Sequence, residues 1–348
     1  MRWSAWPKNT RTVCLMEKRL ELPLVPPVYS TYHFQGNGSA VIAQNPSIRN
    51  WYLNQVLMLS CTRKFLSGFT TPEISIEKSS WNTNPYLETK WYNAQHLGGY
   101  IHYVIRNLLH EGYYVCFDKV DDYYIPGKSW YHERHFPHDG CICGYNQSDK
   151  TYLIFAYDQN WLYRKFSIPQ KGFLSGVKAR IHEKSYPSIC GVRTKNEEVL
   201  FSPDEALGAI RTYLNATTEQ YPENGEGTVL GHAVHHYLAR YVDKLAAGEI
   251  PYERMDRRVF RVIWEHKVIM AERILKIEEA LSLDAGTSRA YAPLVKEAHH
   301  LRMLYAAHHM KRRDELLPVL SKRLRELAKA ERTVLEDLLR KARERKQK

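Results

Sequence analysis

The hydrophobic period of this chain changes once, near Ser202, and that change limits the fold more than any single motif does. Before it, short aromatic-rich segments alternate apolar and polar residues at every second position, as half-buried strands do, with two helical stretches between them. After it, apolar residues recur every three to four positions, the mark of amphipathic helices. A chain of 348 residues is long enough for two domains that each bury a core. The pattern predicts an α+β domain over residues 1–201 and an all-α helical bundle over residues 202–348.

Strands are expected at Tyr29–Phe34, Ala40–Ala43, Tyr113–Asp118, Tyr123–Ile125, Cys141–Tyr145, Tyr152–Tyr157, Leu162–Ile168 and Ser188–Val192. One helix is expected from Pro46 to about Leu66, with Asn45 as N-cap and Pro46 in the first turn. Another is expected from Tyr92 to His110, stopped by Gly112. In the C-terminal half, Ser202-Pro-Asp-Glu combines a cap, a first-turn proline and two acids set against the helix dipole. Further helices are expected over Thr228–Ala247, Asp256–Leu281, Ala292–Lys311 and Pro318 to about Arg345. Gly248 with Pro251, Gly286 with Pro293, and Pro318 mark the breaks. No repeat of fixed period is present.

Composition excludes some classes. A charged fraction of 25% and a hydrophobic fraction of 44% are ordinary for a globular protein. No apolar run approaches the ~18 residues of a spanning helix. Met1–Thr12 is basic without an apolar core and cleavage site, so a cytoplasmic location and no membrane partner are expected. The six cysteines (14, 61, 116, 141, 143 and 190) are scattered in apolar contexts, which favours reduced, buried thiols. Cys141 and Cys143 lie near His135 and His138, but alternate strand residues would point both thiols away from His138, and their spacing is tighter than common zinc motifs. A packed core is the preferred reading, with no metal.

The net charge is +12, and Lys311–Lys348 holds fourteen basic and seven acidic residues. That last helix places Leu317, Leu320, Leu324, Leu327, Val334 and Leu338 along one seam, with a position skipped at Glu331. It reads as a packed helix with a solvated basic face. A phosphate-binding surface is the sharper alternative. Without interleaved aromatics or a nucleic-acid motif, nucleic acid is not the expected partner.

The stretch from His138 through Cys141-Ile-Cys-Gly-Tyr-Asn146 to Asp158 and Trp161 reads as a hairpin. Its geometry returns Asp158 beside His138, the orienting half of a nucleophile–histidine–carboxylate site. The structural alternative is an imidazole hydrogen-bonded at a strand end. His232, His235 and His236 share a helix as zinc ligands can, yet no nearby carboxylate completes a signature, and His299, His300, His308 and His309 read as structural or surface residues. Glu265-His266-Lys267 sits among Val262, Ile263 and Ile269, so any inward-facing member needs a buried partner, either Arg273 or a group from the first domain. With 24 tyrosines and 8 tryptophans, the first domain could line a pocket for a planar or peptidyl ligand, or simply fill a β-rich core. Trp51, Tyr123, Tyr124 and Trp161 are expected near the cleft.

Tyr113-Tyr-Val, Asp121-Asp-Tyr-Tyr-Ile-Pro126, His138-Asp-Gly, Gly144-Tyr145-Asn146 and Tyr157-Asp158 resemble the butirosin biosynthesis protein H family, whose papain-like fold is similar to the cysteine peptidases of bacteriocin exporters. Asp256–Ile274 resembles the helical domain that follows in that family. The resemblance covers most of the chain beyond about Tyr29. It implies a papain-like first domain and, without a cofactor, transfer of an acyl group from a carrier-protein thioester through a cysteine to an amine, in bacterial natural-product biosynthesis. It also implies an acyl- or peptidyl-carrier protein as partner, and carriers are acidic as a rule, which suits a chain of +12.

The family cysteine belongs at the N-terminus of the first long helix, where peptide N–H groups and the dipole favour a thiolate. Papain-like peptidases place a glutamine six residues before it and a tryptophan directly after. Gln44 and Trp51 fit that frame, and Asn50 stands in the cysteine slot. An amide is not a usable nucleophile. Three readings follow. The first, preferred here, is a pseudo-enzyme that keeps His138 and Asp158 and only binds. Ser47 as replacement nucleophile is second. Cys61 is third, since in a continuous helix it would lie roughly 21 Å along the axis from Ser47. A rival of another class is an interaction protein that uses the basic C-terminal helix for an acidic partner or nucleic acid.

Overall fold

The computed structural model describes residues 18–25, 27, 29–68, 71–77, 84–216 and 227–347. In chain order the first elements are β1 (Arg19–Glu21), α1 (His33–Ile42), α2 (Pro46–Gln55), β2 (Leu59–Thr62), β3 (Ser75–Ile76), β4 (Leu87–Asn93), α3 (Ala94–Leu97) and α4 (Ile101–His110). There follow β5 (Tyr114–Asp121), β6 (Pro137–Asn146), β7 (Thr151–Tyr157), β8 (Tyr163–Pro169), α5 (Gln170–His182) and β9 (Ser188–Thr194). The rest is α6 (Pro203–Asn215), β10 (Thr228–Leu230), α7 (Val234–Ala246), α8 (Val259–Leu281), α9 (Gly286–Lys311) and α10 (Leu316–Gln347). The class is α+β: an antiparallel sheet domain and a C-terminal helical region.

The chain divides into two compact units, but not at 201/202. One gathers residues 91–191 with the chain up to Pro23; the other gathers 24–90 with 192–348. The physical reason is pairing. β10 joins β2 in the three-stranded sheet β10–β2–β3, and α2 packs on α6 and α8, so the early segment belongs with the late helices.

The first unit is built on a sheet of order β4–β9–β5–β6–β7–β8, with β1 beside the far end of β6. Val115, Phe117, Ile142, Tyr152, Ile154 and Phe173 are among its buried core. Helix α5 lies on β5 and the turn after it because Gly172 and Gly176 share one helix face. A Cβ there would stand 2.5 Å from the Tyr124 carbonyl and 2.8 Å from that of Asp121. This close approach fixes the turn at residues 121–124, which carries the site described below.

The second unit is mostly helical. α10 packs on α7 and α9, and α8 on α9. Leu317, Leu320, Leu324, Leu327, Leu335 and Leu338 form the buried seam of α10. Asn45 caps α2, accepting from the N–H of Ser47 and Ile48, with Pro46 in the first turn, as the sequence indicated.

Several boundaries differ from the sequence reading. Residues expected as strands at 29–34 and 40–43 instead lead into and form α1, whose Asn37–Ile42 are buried, so tertiary packing overrides strand propensity. The turn at 122–124 replaces the expected strand Tyr123–Ile125 because Asp121 accepts from the Tyr123 N–H and closes a tight turn. The helix expected to reach Leu66 ends at Gln55. There Arg273 donates to the carbonyls of Tyr52, Leu53 and Val56, a cation at a helix C-terminus. Cys61 consequently lies on β2. Gly98, at φ 53°, separates α3 from α4 where one helix was expected. α9 begins at Gly286 and carries Pro293 inside, its first turn held by Glu278, which accepts from the N–H of Thr287 and Ser288.

Candidate functional site

The sheet unit holds a lysine–carboxylate–histidine trio at the end of β5 and the start of β6. Register pairs Val120 with His138 and Asp121 with Pro137, and the Asp122 N–H then donates to the Phe136 carbonyl. This folds the Asp122 carboxylate back toward the imidazole. His138 Nδ1 lies 2.9 Å from Asp122 Oδ2, and Lys128 Nζ lies 3.4 Å from that oxygen and 3.3 Å from the ring nitrogen. Nδ1 thus faces both the Asp122 carboxylate and the Lys128 ammonium, which fix the orientation of the ring. The side chains of Asp122 and Lys128 are 3% and 2% exposed, whereas His138 is 21% exposed. A buried anion thus orients a reachable imidazole.

Lys128 is held below the usual lysine range: burial disfavours its charge, and Asp122, Asp139 and Asp158 together oppose that effect. Burial also pushes the Asp139 carboxyl up. Around the trio lies an aromatic surface. Tyr123 stacks on His135 at 4.5 Å between ring centres, Trp130 meets Trp161 edge-on at 6.0 Å, and the Arg134 guanidinium sits 3.5 Å over the Trp130 ring. His135 Nδ1 also lies 2.6 Å from Asp121 Oδ2.

The expected partner of His138, Asp158, is engaged elsewhere. Continuing the β6–β7 register, in which Cys141 faces Phe155, puts residues 138 and 158 on one level, as the hairpin reading expected. The Asp158 carboxylate nevertheless closes its own loop. Oδ1 accepts from the N–H of Asn160 and Leu162, and Oδ2 from Arg164 at 2.5 Å. Burial alone would raise this carboxyl, but Arg164 and the two N–H groups outweigh it and hold the group below its usual range. The orienting acid the structure supplies is Asp122. The buried Asp121-Asp122 pair directly after an apolar strand was the available signal, quoted in the motif but assigned no role.

Gln44, Ser47, Asn50 and Trp51 belong to the other unit, where the start of α2 is knitted to the loop before α6. Ser47 Oγ accepts from the Val199 N–H at 2.6 Å, and Asn50 Nδ2 donates to the Val199 carbonyl at 2.9 Å. Gln44, just past the end of α1, donates back to the Ala40 carbonyl. Trp51 is buried against Tyr52 and Tyr86, so it is core rather than pocket lining. Tyr123 and Tyr124 are half-buried and Trp161 is exposed. The described cysteines are all buried. Burial pushes the thiols of Cys61 and Cys143 up to about 12 and that of Cys116 well above the ordinary value, opposite to an activated thiolate. Cys14 lies outside the described residues.

The helical unit holds a second cluster of lysine, carboxylate and histidine, four residues in all and wholly buried. Lys267 Nζ sits 2.8 Å from Glu331 Oε2, 2.8 Å from His235 Nε2 and 3.3 Å from His266 Nδ1. The other ring nitrogens donate to carbonyls, His235 Nδ1 to His232 and His266 Nε2 to Leu57, each at 3.0 Å. The ammonium also lies 3.4 Å from the Tyr213 hydroxyl. Tyr213 and Tyr291 donate to Glu331 at 3.0 and 2.5 Å. Burial, then the Lys267 charge, drives His235 down to about 3 and His266 well below its usual value. Burial would raise Glu331, but Lys267 and then the histidines hold it far below the ordinary carboxylate range. The donor atoms of His232, His235 and Glu331 lie within 4.8 Å of one another, a spacing a metal ion could use. Lys267 takes that cationic position, and His232 Nε2 is 2.9 Å from the Ala328 carbonyl. The skipped seam position at Glu331 is therefore a buried charge lock, and of the flagged Glu265-His266-Lys267 run all three are buried and bonded. Glu265 accepts from Ser30 and Thr31.

The basic face of α10 is largely neutralised locally. Arg323 pairs with Glu297, Arg325 with Asp243, Arg340 with Asp337 and Glu344, and Lys341 with Asp337. Among the described residues no helix is long and apolar enough to cross a membrane. The sequence matches no protein-family model and no curated protein.

Proposed function

We propose that this protein is an acyltransferase-like relative of papain-fold enzymes that binds an acyl or peptidyl intermediate, or the carrier protein bearing it, without a covalent intermediate. The reading rests on the start of α2. Where the resemblance implies a nucleophilic cysteine, Asn50 and Ser47 both spend their side chains on the Val199 backbone. An amide and an anchored hydroxyl at that position favour binding over covalent capture. Within the sheet unit, His138, oriented by Asp122, supplies a general base or a hydrogen-bond donor. The aromatic surface around it suits an acyl or peptidyl chain.

Incubation with acyl-carrier thioesters, followed by intact-mass analysis, tests this. The expected result is saturable binding that weakens with salt, as a chain of +12 meeting an acidic carrier requires, with no mass increase. An acyl adduct mapping to Ser47 would overturn it.

A further inference from the structure

In the helical unit, α6 and α10 lie side by side and leave a groove of about 250 Å³, lined by Asp204, Leu207, Arg211, Leu339, Ala342, Arg343 and Lys346. Asp204, Leu207 and Arg211 fall three and four positions apart on α6, and Leu339, Ala342, Arg343 and Lys346 span two turns of α10, so each set forms one face. Leu207, Leu339 and Ala342 supply an apolar floor, and three cations face one carboxylate. Lys346 reaches Asp204. Arg211 and Arg343 are exposed, and their guanidinium groups have no hydrogen-bond or ion-pair partner among the described residues.

We propose that this groove binds an amphiphilic phosphate monoester, its tail on Leu207, Leu339 and Ala342 and its head among Arg211, Arg343 and Lys346. The head group follows from charge. The lining carries a net two positive charges, and a phosphate monoester carries about −1.5 to −2 at neutral pH, whereas a carboxylate carries half that. Two guanidinium groups also match phosphate oxygens in bidentate fashion. The groove holds about the volume of eight liquid waters, enough for a phosphate and part of a short chain. This site is separate from His138 and does not depend on the reading given under Proposed function.

Calorimetric titration of the full chain with octyl phosphate below its micelle concentration tests the proposal, with octanoate and inorganic phosphate as comparisons. Octyl phosphate is expected to bind with one-to-one stoichiometry and to outcompete both comparisons. The Arg211→Ala/Arg343→Ala variant should weaken it at least about tenfold. Arg343→Glu, a charge reversal at an exposed side chain of the lining, should abolish binding while the melting temperature holds. No binding, equal affinity for octanoate, or binding that survives both variants would overturn the assignment.

Discussion

Two clusters in this molecule each combine a lysine, a carboxylate and histidine and put them to opposite ends. In the sheet unit, Lys128, Asp122 and His138 meet at a strand end where the imidazole reaches solvent; in the helical unit, Lys267, Glu331, His235 and His266 are sealed. Composition does not separate a reactive group from a structural one. What separates them is whether one member stays accessible and how many partners share the buried charge. Lys128 feels three carboxylates, whereas Lys267 leans on Glu331.

The largest effect is expected where the charge has one partner. Glu331→Gln leaves the Lys267 ammonium buried without its counter-charge and should cost about 3–5 kcal/mol in urea unfolding. Replacing Lys267 and Glu331 together with Met and Leu should recover part of that loss, because it removes both buried charges while leaving His235, His266, Tyr213 and Tyr291 without their polar partners. A double variant no better than the single one would break the comparison.

Acid should act through the same cluster. His235 and His266 are neutral in the fold with depressed pKa values, so the unfolded chain binds more protons below its ordinary histidine value of about 6.5. Their stabilisation is complete above that pH and erodes as pH falls toward about 3, the His235 value. Glu331, depressed from a lower starting value, adds a loss of the same sign in stronger acid. A decline of a few kcal/mol between neutral pH and pH 4 is expected, and His235→Asn should flatten it. A wild-type profile level over that range would contradict the assignment of neutral buried imidazoles.

Asp122→Asn should cost less, about 1–2 kcal/mol, since Asp139 and Asp158 still face Lys128. The smallest change in stability, under about 1 kcal/mol, belongs to His138→Asn, which should instead reduce binding of an acyl-carrier thioester. Equal costs for Asp122→Asn and Glu331→Gln would erase the distinction between the two clusters.

Much of this was legible in the sequence. The strands around the His138 hairpin, the Asn45–Pro46 start of α2, the Ser202 cap and the leucine seam of α10 are local signals, set by period and capping chemistry. Glu331 was visible as an interruption of that seam, and Glu265-His266-Lys267 as charge in an apolar context. Their partners were not, because Lys267 and Glu331 lie 64 residues apart and meet only through helix packing. Asp122 was hidden by a different mechanism. A hairpin argument pairs residues at equal distance from the turn and so selects Asp158, but side-chain capping of the 158–162 loop competes for that carboxylate, and a tight turn delivers Asp122 instead. α1 and β2 were misread because burial from distant helices outweighed local propensity.

The comparison is tested most directly by mapping histidine carbethoxylation in the folded protein at neutral pH, by mass spectrometry over time. The account predicts that His138 is modified at a rate near that of an accessible imidazole while His235 and His266 stay unmodified until the fold is lost. Comparable rates at His138, His235 and His266 would contradict it.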